Sequence, residues 1–468
     1  MNIIQRYKHY VLAIVFMLCT QAAYARDVYV RLSNSGNYSI GITAGNLVMT
    51  DAEGRLANLT ESARISVSNG YAVIGGISFL MPVRITGTGF LKFNGRTYRG
   101  AFVITQRGGL LNALDIEQYL YGVLPGEVVT SWPMESLRAQ AICARTYVIK
   151  QSMKRQEKGY DVVDTDADQV YKGQGAETER TNQAVNTTAG LILTYGKEIA
   201  QTYFHSDSGG HTADIADVWG QSIPYLQGVP EIVNYKSPVS TWSAKFSASR
   251  IQQAVKKVTG ADIGSVTQIQ VNEVDEGGRA VTMTFTGPHG SKTMRASQFR
   301  LALDPRNLKS TMFTPSGGAF TLNNTTTPSG LVSAKKEQPS ASSSEVLSIT
   351  EEQALAKMTS EGIFTATELI DMLTNESKKK QYYQVGMTRM QKAGKSLQTP
   401  TPAAPTKPKS KYGFAIEKSG NEFVFYGRGW GHGVGMSQWG CMAMAEQNYT
   451  AEQILAHYYP GTTLRRFK

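Results

Sequence analysis

The 468-residue sequence holds only three cysteines and six histidines. Cys19 falls in the N-terminal segment, which leaves Cys143 and Cys441, too few for a disulfide framework and without metal-ligand spacing. No serine stands in a G-x-S-x-G elbow. Long apolar runs are scarce: Val11 to Cys19 is shorter than the roughly 20 residues that span a bilayer, and no second such run follows. These absences argue against a disulfide scaffold, a nucleophile-elbow hydrolase and a chain held in the membrane by several spans.

What is present starts at the N-terminus. Arg6 and Lys8, the apolar run, and Ala23-Tyr24-Ala25 ahead of Arg26 form the pattern of a cleavable secretory signal over residues 1–25. The expectation is an exported chain, in the periplasm, cell wall or medium, with no stable membrane span after cleavage. Loss of Arg6 and Lys8 lowers the formal charge from +11 to +9. A basic exported chain is steered toward polyanions, which outside the membrane are wall polymers or lipid head groups, not nucleic acid.

Residues 26–107 alternate short β-like runs (Val28 to Leu32, Tyr71 to Ile74, Phe90 to Phe93) with Gly, Asn and Asp turns, the grammar of a β-rich region. Asp115 and Gln118 signal a helix start, Pro125-Gly126 reads as its end, and Pro133 opens an Ala-rich helix to about Lys150. Glu127 is thus expected in a bend between two helices. Ser247 to Gly260 reads as helical, and Thr450 with Gln453 caps a last helix that Pro460-Gly461 ends. Residues 315–411 change character, with linker-like flanks around a polar helical stretch from Glu351 to Gly394. The fold class expected is α+β: a β-rich N-terminal region, then a mixed α/β domain over 108–314 and 412–468, interrupted by the 315–411 insertion.

Several clusters invite chemistry. Five glycines occupy every second position from Gly427 to Gly435; an extended segment would carry Arg428, Trp430, His432 and Val434 on one face and nothing on the other. No Lys-Ser or Lys-Thr follows these glycines, so they are no phosphate loop. Tight strand packing explains the spacing equally well. His205, Ser206, Ser208 and His211 crowd around Gly209-Gly210, although neighbours in a strand face opposite sides and make no catalytic pair. Asp164, Asp166 and Asp168 mimic the start of a calcium loop, but Gln169 and Gly175 stand where its glycine and glutamate are required. Glu127 by itself reads as a carboxylate near a helix start, or as an acid/base with a raised pKa.

Taken in order, YRGAFVI (98 to 104), LDIEQYLYGVLPGEV (114 to 128), LRAQAICARTYV (137 to 148), DQVYKG (168 to 173), YFHSDSGGHT (203 to 212), VWGQSIPYL (218 to 226) and GRGWGHGVGMSQWG (427 to 440) resemble the stage II sporulation protein D / amidase-enhancer (SpoIID/LytB domain) family. The resemblance implies a catalytic domain with a glycan-binding groove: a lytic transglycosylase that cuts the MurNAc-GlcNAc bond of peptidoglycan and leaves a 1,6-anhydro product. It maps the catalytic glutamate onto Glu127. Arg145, Gln169, Tyr171, His205, Ser206, Ser208, His432 and Gln438 match motif positions and are the expected groove residues. No cofactor is expected. Some members hold zinc with a histidine and nearby cysteines, but no cysteine neighbours His205 in this sequence, so no metal is expected either. The partners implied are peptidoglycan glycan strands and a wall amidase or other wall-remodelling protein. The competing readings are a silent wall-binding protein that stimulates an amidase, and a metal hydrolase using His205, His211 and His432.

Overall fold

The computed structural model describes residues 27–34, 36–314, 379–392 and 414–467. The signal expected over residues 1–25 lies outside them. The chain divides into two units, residues 1–322 with 409–468 and residues 323–408. The second is described only at its helix Lys379–Lys392, inside the stretch expected to be helical; residues 351–378 of that stretch lie outside the described residues. No helix among the described residues is long and apolar enough to cross a membrane.

The fold is α+β with a β-rich N-terminal region. Its first sheet runs in the order Val162–Val163, Asp27–Ser33, Leu110–Asp115, Ala101–Ile104, Val83–Gly87, Tyr38–Thr50, Leu56–Ser68, Tyr71–Ile74, Ile77–Leu80, with two short strands at its side. The strand Tyr71–Ile74, next to the edge, alternates exposed and buried residues, one face on the core and one in water. Leu110–Asp115 is buried almost throughout, as befits a strand covered on both faces.

Asp115 ends that strand and caps the next helix, Ile116–Glu127, accepting from Glu117 N at 2.9 Å and Gln118 N at 3.2 Å. Pro125-Gly126 does not end this helix: Glu127 is its last residue. A proline so near the C-terminus removes one N–H from the helix ladder and keeps a helical φ, so the turn survives. The following helix, Met134–Lys154, has Pro133 at its N-cap and runs past Lys150. Between Ser136 and Ser152 only Arg138 and Lys150 escape full burial. Ala141, Ala144 and Val148 pack into the sheet's core, while Ala139, Ile142 and Cys143 pack into a second core with Met436, Cys441, Leu455 and Tyr459. A helix sheathed on all sides in this way joins two cores. A third core lies between the helices Ala248–Thr259 and Ala296–Leu303 and the strands around Gln268–Val274 and Glu422–Gly427. Cys143 and Cys441 are both free thiols.

Arg145 lies inside this junction at 1% exposure. Its guanidinium forms a fork with Glu117, Nε to Oε1 at 2.8 Å and Nη2 to Oε2 at 2.6 Å, and donates to the carbonyls of Leu191 at 3.0 Å and Val185 at 3.3 Å. Removing one partner of a buried pair strands the other's charge. Glu117→Ala is therefore expected to cost about 3 kcal/mol of stability, read from the denaturant midpoint, whereas loss of an exposed pair such as Lys256 with Asp262 should leave that midpoint nearly unchanged.

Candidate active site

Glu127 stands at the C-terminal end of its helix, and the segment from Gln169 to Gly173 crosses that end. Two glycines four residues apart make the crossing possible. A Cβ on Gly122 would meet the Tyr171 ring at 2.5 Å, and one on Gly126 would meet the Val170 carbonyl oxygen at 2.2 Å. With both side chains absent, Lys172 N donates to Gly122 O at 3.0 Å and Val170 N donates to Glu127 Oε1 at 2.6 Å. Burial raises the pKa of Glu127 above the ordinary 4.5; the Val170 amide and the Gln438 side chain pull it back, Asp166 pushes it up and Lys172 lowers it. Desolvation is the largest of these effects, so the carboxyl holds its proton to higher pH than a solvated one.

Gln438 comes near Glu127 because two distant segments are stitched together. Phe204–His205 pairs in parallel with Met436–Ser437, and Trp439 N donates to Ser206 O at 3.0 Å. The run from Gly427 to Gly435 is not extended. Gly429, Gly431, Gly433 and Gly435 have φ of 71°, 122°, 87° and 72°, so the chain coils through left-handed turns and lies on its neighbour. A Cβ at Gly431 would stand 2.6 Å from His205 Cβ, and one at Gly435 would stand 2.1 Å from Tyr203 O. The bare positions serve backbone against backbone.

A carboxylate that no sequence pattern marked ties this junction together. Glu231 accepts from Ser208 Oγ at 2.5 Å and Tyr458 OH at 2.6 Å. Ser437 Oγ accepts from Ser208 N at 3.3 Å and caps the helix Gln438–Glu446 through Gly440 N at 3.2 Å. Tyr235 spans from Ser437 to Asp207 at 3.3 and 3.1 Å. Burial raises the pKa of Glu231, against hydrogen bonds from Ser208, Tyr458 and Ser437 that lower it. Rings flank the site: Trp132 and Trp439 meet edge to face at 5.1 Å, and Tyr203 meets Trp219 at 4.8 Å. Trp439 and Trp219 sit inside quoted motifs and were legible there; Glu231 and Tyr235 were not.

The expected groove residues separate into groups. Gln438 is beside Glu127. Gln169 is buried near it, accepting from Tyr119 OH at 3.0 Å and donating to Ala144 O at 3.3 Å. Tyr171 is 1% exposed, its hydroxyl donating to Asn112 Oδ1 at 2.8 Å, and Arg145 is engaged with Glu117; both belong to the packing that holds the helices, and neither offers a surface to a groove. Ser206 keeps partial exposure, while Ser208 is buried against Glu231. His205 and His432 have ring centroids 5.5 Å apart, and burial first of all depresses both pKa values, that of His432 to about 3. Val434 divides its backbone between them: its carbonyl faces His205 Nδ1 at 3.2 Å, and its N–H donates to His432 Nδ1 at 3.0 Å. Among the described residues no group of three His, Cys, Asp or Glu gathers as a metal-holding set, so His211 does not complete a triad with these two.

Comparison with known proteins bears on this arrangement. Residues 105–195, which contain Glu127, Gln169 and the crossing segment, match the family model for stage II sporulation protein (SpoIID). The chain is 33% identical over 171 residues to stage II sporulation protein D of Bacillus subtilis, covering 33% of this chain and 50% of that one. It is 26% identical over 355 residues to the amidase enhancer of Bacillus subtilis, covering 74% of this chain and 40% of that one. Residues 105–195 are thus a region similar to the SpoIID/LytB family. An uncharacterized protein of Brachyspira hyodysenteriae is 30% identical over 233 residues, 49% of this chain and 61% of that one. The chain thus spans between 40% and 61% of the length of these relatives.

Burial of Glu127 has a thermodynamic consequence. A carboxyl whose folded pKa lies above its unfolded 4.5 favours folding while protonated, and that contribution is lost as pH rises through the folded pKa. Glu127→Gln keeps an acceptor for Val170 N and removes the buried charge. The variant is expected to resist denaturant better than the wild type at pH 7, with the gap closing below about pH 4.5. A variant less stable than wild type at pH 7, measured by urea unfolding, would refute this account of the site.

Proposed function

We propose that this protein is an exported lytic transglycosylase that cleaves the β-1,4 bond between N-acetylmuramic acid and N-acetylglucosamine in peptidoglycan glycan strands, with Glu127 as its acid/base. The observation that carries the reading is a single carboxyl, enclosed and raised in pKa, held by the Val170 N–H and beside Gln438 where three family motifs meet.

A raised pKa suits both halves of the reaction. Protonated Glu127 gives its proton to the glycosidic oxygen as the C1–O bond breaks, and positive charge develops on the muramoyl ring. The now ionised carboxylate takes the proton from that sugar's C6 hydroxyl as its oxygen bonds to C1. The proton is returned, no water enters, and the product is a 1,6-anhydro sugar. Gln438 and the Val170 amide favour the ionised state that forms midway. The substrate brings its own nucleophile, so the second carboxylate of two-carboxylate hydrolases has no task here. Asp166, whose charge reaches Glu127, is exposed and is the natural suspect for such a partner.

The second reading rests on a name. One relative is called an amidase enhancer, and a chain that binds wall and stimulates an amidase needs no acid/base. Purified wild type incubated with defined glycan strands is expected to release anhydro-terminated products, identified by mass, and Glu127→Gln to lower the rate by about a thousandfold or more. The rate should fall as pH rises through the Glu127 pKa, because the general acid is then ionised. Reducing-end products that vanish with Asp166→Asn would replace the intramolecular route by hydrolysis. No cleavage by either protein, with equal stimulation of an amidase by both, would establish the second reading instead.

A further inference from the structure

A cleft of about 900 Å³ opens away from Glu127, between the strands Asp27–Ser33 and Leu110–Asp115 and the loop that leaves the buried helix Met134–Lys154. Its wall carries Arg31, Arg107, Arg155 and Lys158 together with the rings of Tyr29 and Tyr160. None of these residues entered the family motifs.

The charges in the cleft are unequal in their satisfaction. Arg155 is neutralised by a fork to Asp168, Nη1 to Oδ2 at 2.6 Å and Nη2 to Oδ1 at 2.9 Å. Asp161 is turned inward at 5% exposure and accepts from Tyr29 N at 2.9 Å. Arg31, Arg107 and Lys158 form no ion pair among the described residues, and Glu157 is the remaining carboxylate on the wall.

Two guanidinium groups also share one ring. Arg31 Cζ lies 4.2 Å and Arg155 Cζ 5.8 Å from the Tyr160 centroid. Cation–π contact holds each in place; Asp168 offsets the charge of Arg155, and Arg31 on the same ring forms no ion pair among the described residues. The stacking fixes the Arg31 guanidinium before any ligand arrives, which lowers the ordering cost of binding.

We propose that this cleft is a second binding site, for an anionic glycan chain. The spaced cations take its carboxylate or phosphate groups, and the Tyr29 ring takes the apolar face of a sugar. A cleft of about 900 Å³ favours a polymer segment that enters it over a flat bilayer. This site is independent of the cleavage proposed for Glu127. Its use would be to hold the protein on an acidic wall polymer while the other site engages its own strand.

The test uses the purified mature chain and two labelled polymers, oligogalacturonate and poly(glycerol phosphate), followed by anisotropy against salt. Oligogalacturonate binding is expected to weaken about tenfold or more in the triple variant Arg31→Gln, Arg107→Gln, Lys158→Gln, with a shallower salt dependence. A control that removes the same charge from exposed positions elsewhere, Lys245→Gln, Lys257→Gln, Lys292→Gln, should bind within about twofold of wild type. Each substituted residue in the control is exposed, and unchanged circular dichroism shows that both variants fold. Binding of both polymers, lost together in the cleft variant, supports the site and admits phosphate as a source of its anion. Binding of poly(glycerol phosphate) alone overturns the saccharide class. Equal weakening in the cleft and control variants overturns the site, since net charge then explains everything. Tight binding to phosphatidylglycerol vesicles with none to either polymer also overturns it.

Discussion

The arrangement at Glu127 depends on how closely one backbone can approach a helix end. The Val170 amide reaches the carboxylate at 2.6 Å only because Gly122 and Gly126 leave the helix face bare. A methyl at position 126 would stand 2.2 Å from the Val170 carbonyl oxygen, closer than any real contact, so the crossing segment would have to lift and take its N–H with it. The same crossing encloses the carboxyl, and enclosure is the largest cause of its raised pKa. One packing constraint therefore supplies both the orientation of the acid and its tendency to keep a proton.

The second half of the site is built by the same device on different elements. Gly431 and Gly435 let the glycine-rich segment lie on Tyr203 and His205, and that contact fixes where the chain goes next, to Ser437 and Gln438. Glu231 locks the junction from behind. Two enclosed carboxylates thus differ in what surrounds them. Glu231 accepts one hydroxyl on each oxygen, from Ser208 and from Tyr458. Glu127 accepts one backbone hydrogen bond and faces a side-chain amide, which leaves it capacity for a proton and a substrate oxygen. Burial raises the pKa of both carboxyls, and they differ in their partners: two protein hydroxyls at Glu231, a backbone amide and a nearby side-chain amide at Glu127.

Local features were legible in the sequence because local physics decides them. Asp115 caps its helix, Thr450 and Gln453 close a capping box, and Ser247 and Gly260 bound the helix between them as the residue types suggest. The failures all come from the third dimension. Glycine at every second position is compatible with a strand, and nothing in the spacing reveals that four of them take positive φ. Arg145 and Tyr171 lie in motifs, and a motif does not say which way a side chain faces; both are buried in the packing that holds the helices. Glu231 has no local mark at all, since its partners come from Ser208 and Tyr458, 23 and 227 residues away.

His205 and His432 show how far the enclosure extends. His205 is buried and His432 partly so, each is pushed toward the neutral form, and they share Val434 as donor and acceptor, so neither brings a positive charge to the site near neutral pH. Arg279 and Arg300 reinforce this by repelling a proton from both rings. A histidine kept neutral in this way is a poor general acid and a good structural dipole. The groups at this junction that burial pushes toward holding a proton are therefore the carboxyls of Glu127 and Glu231, and of these Glu127 is the one beside Gln438.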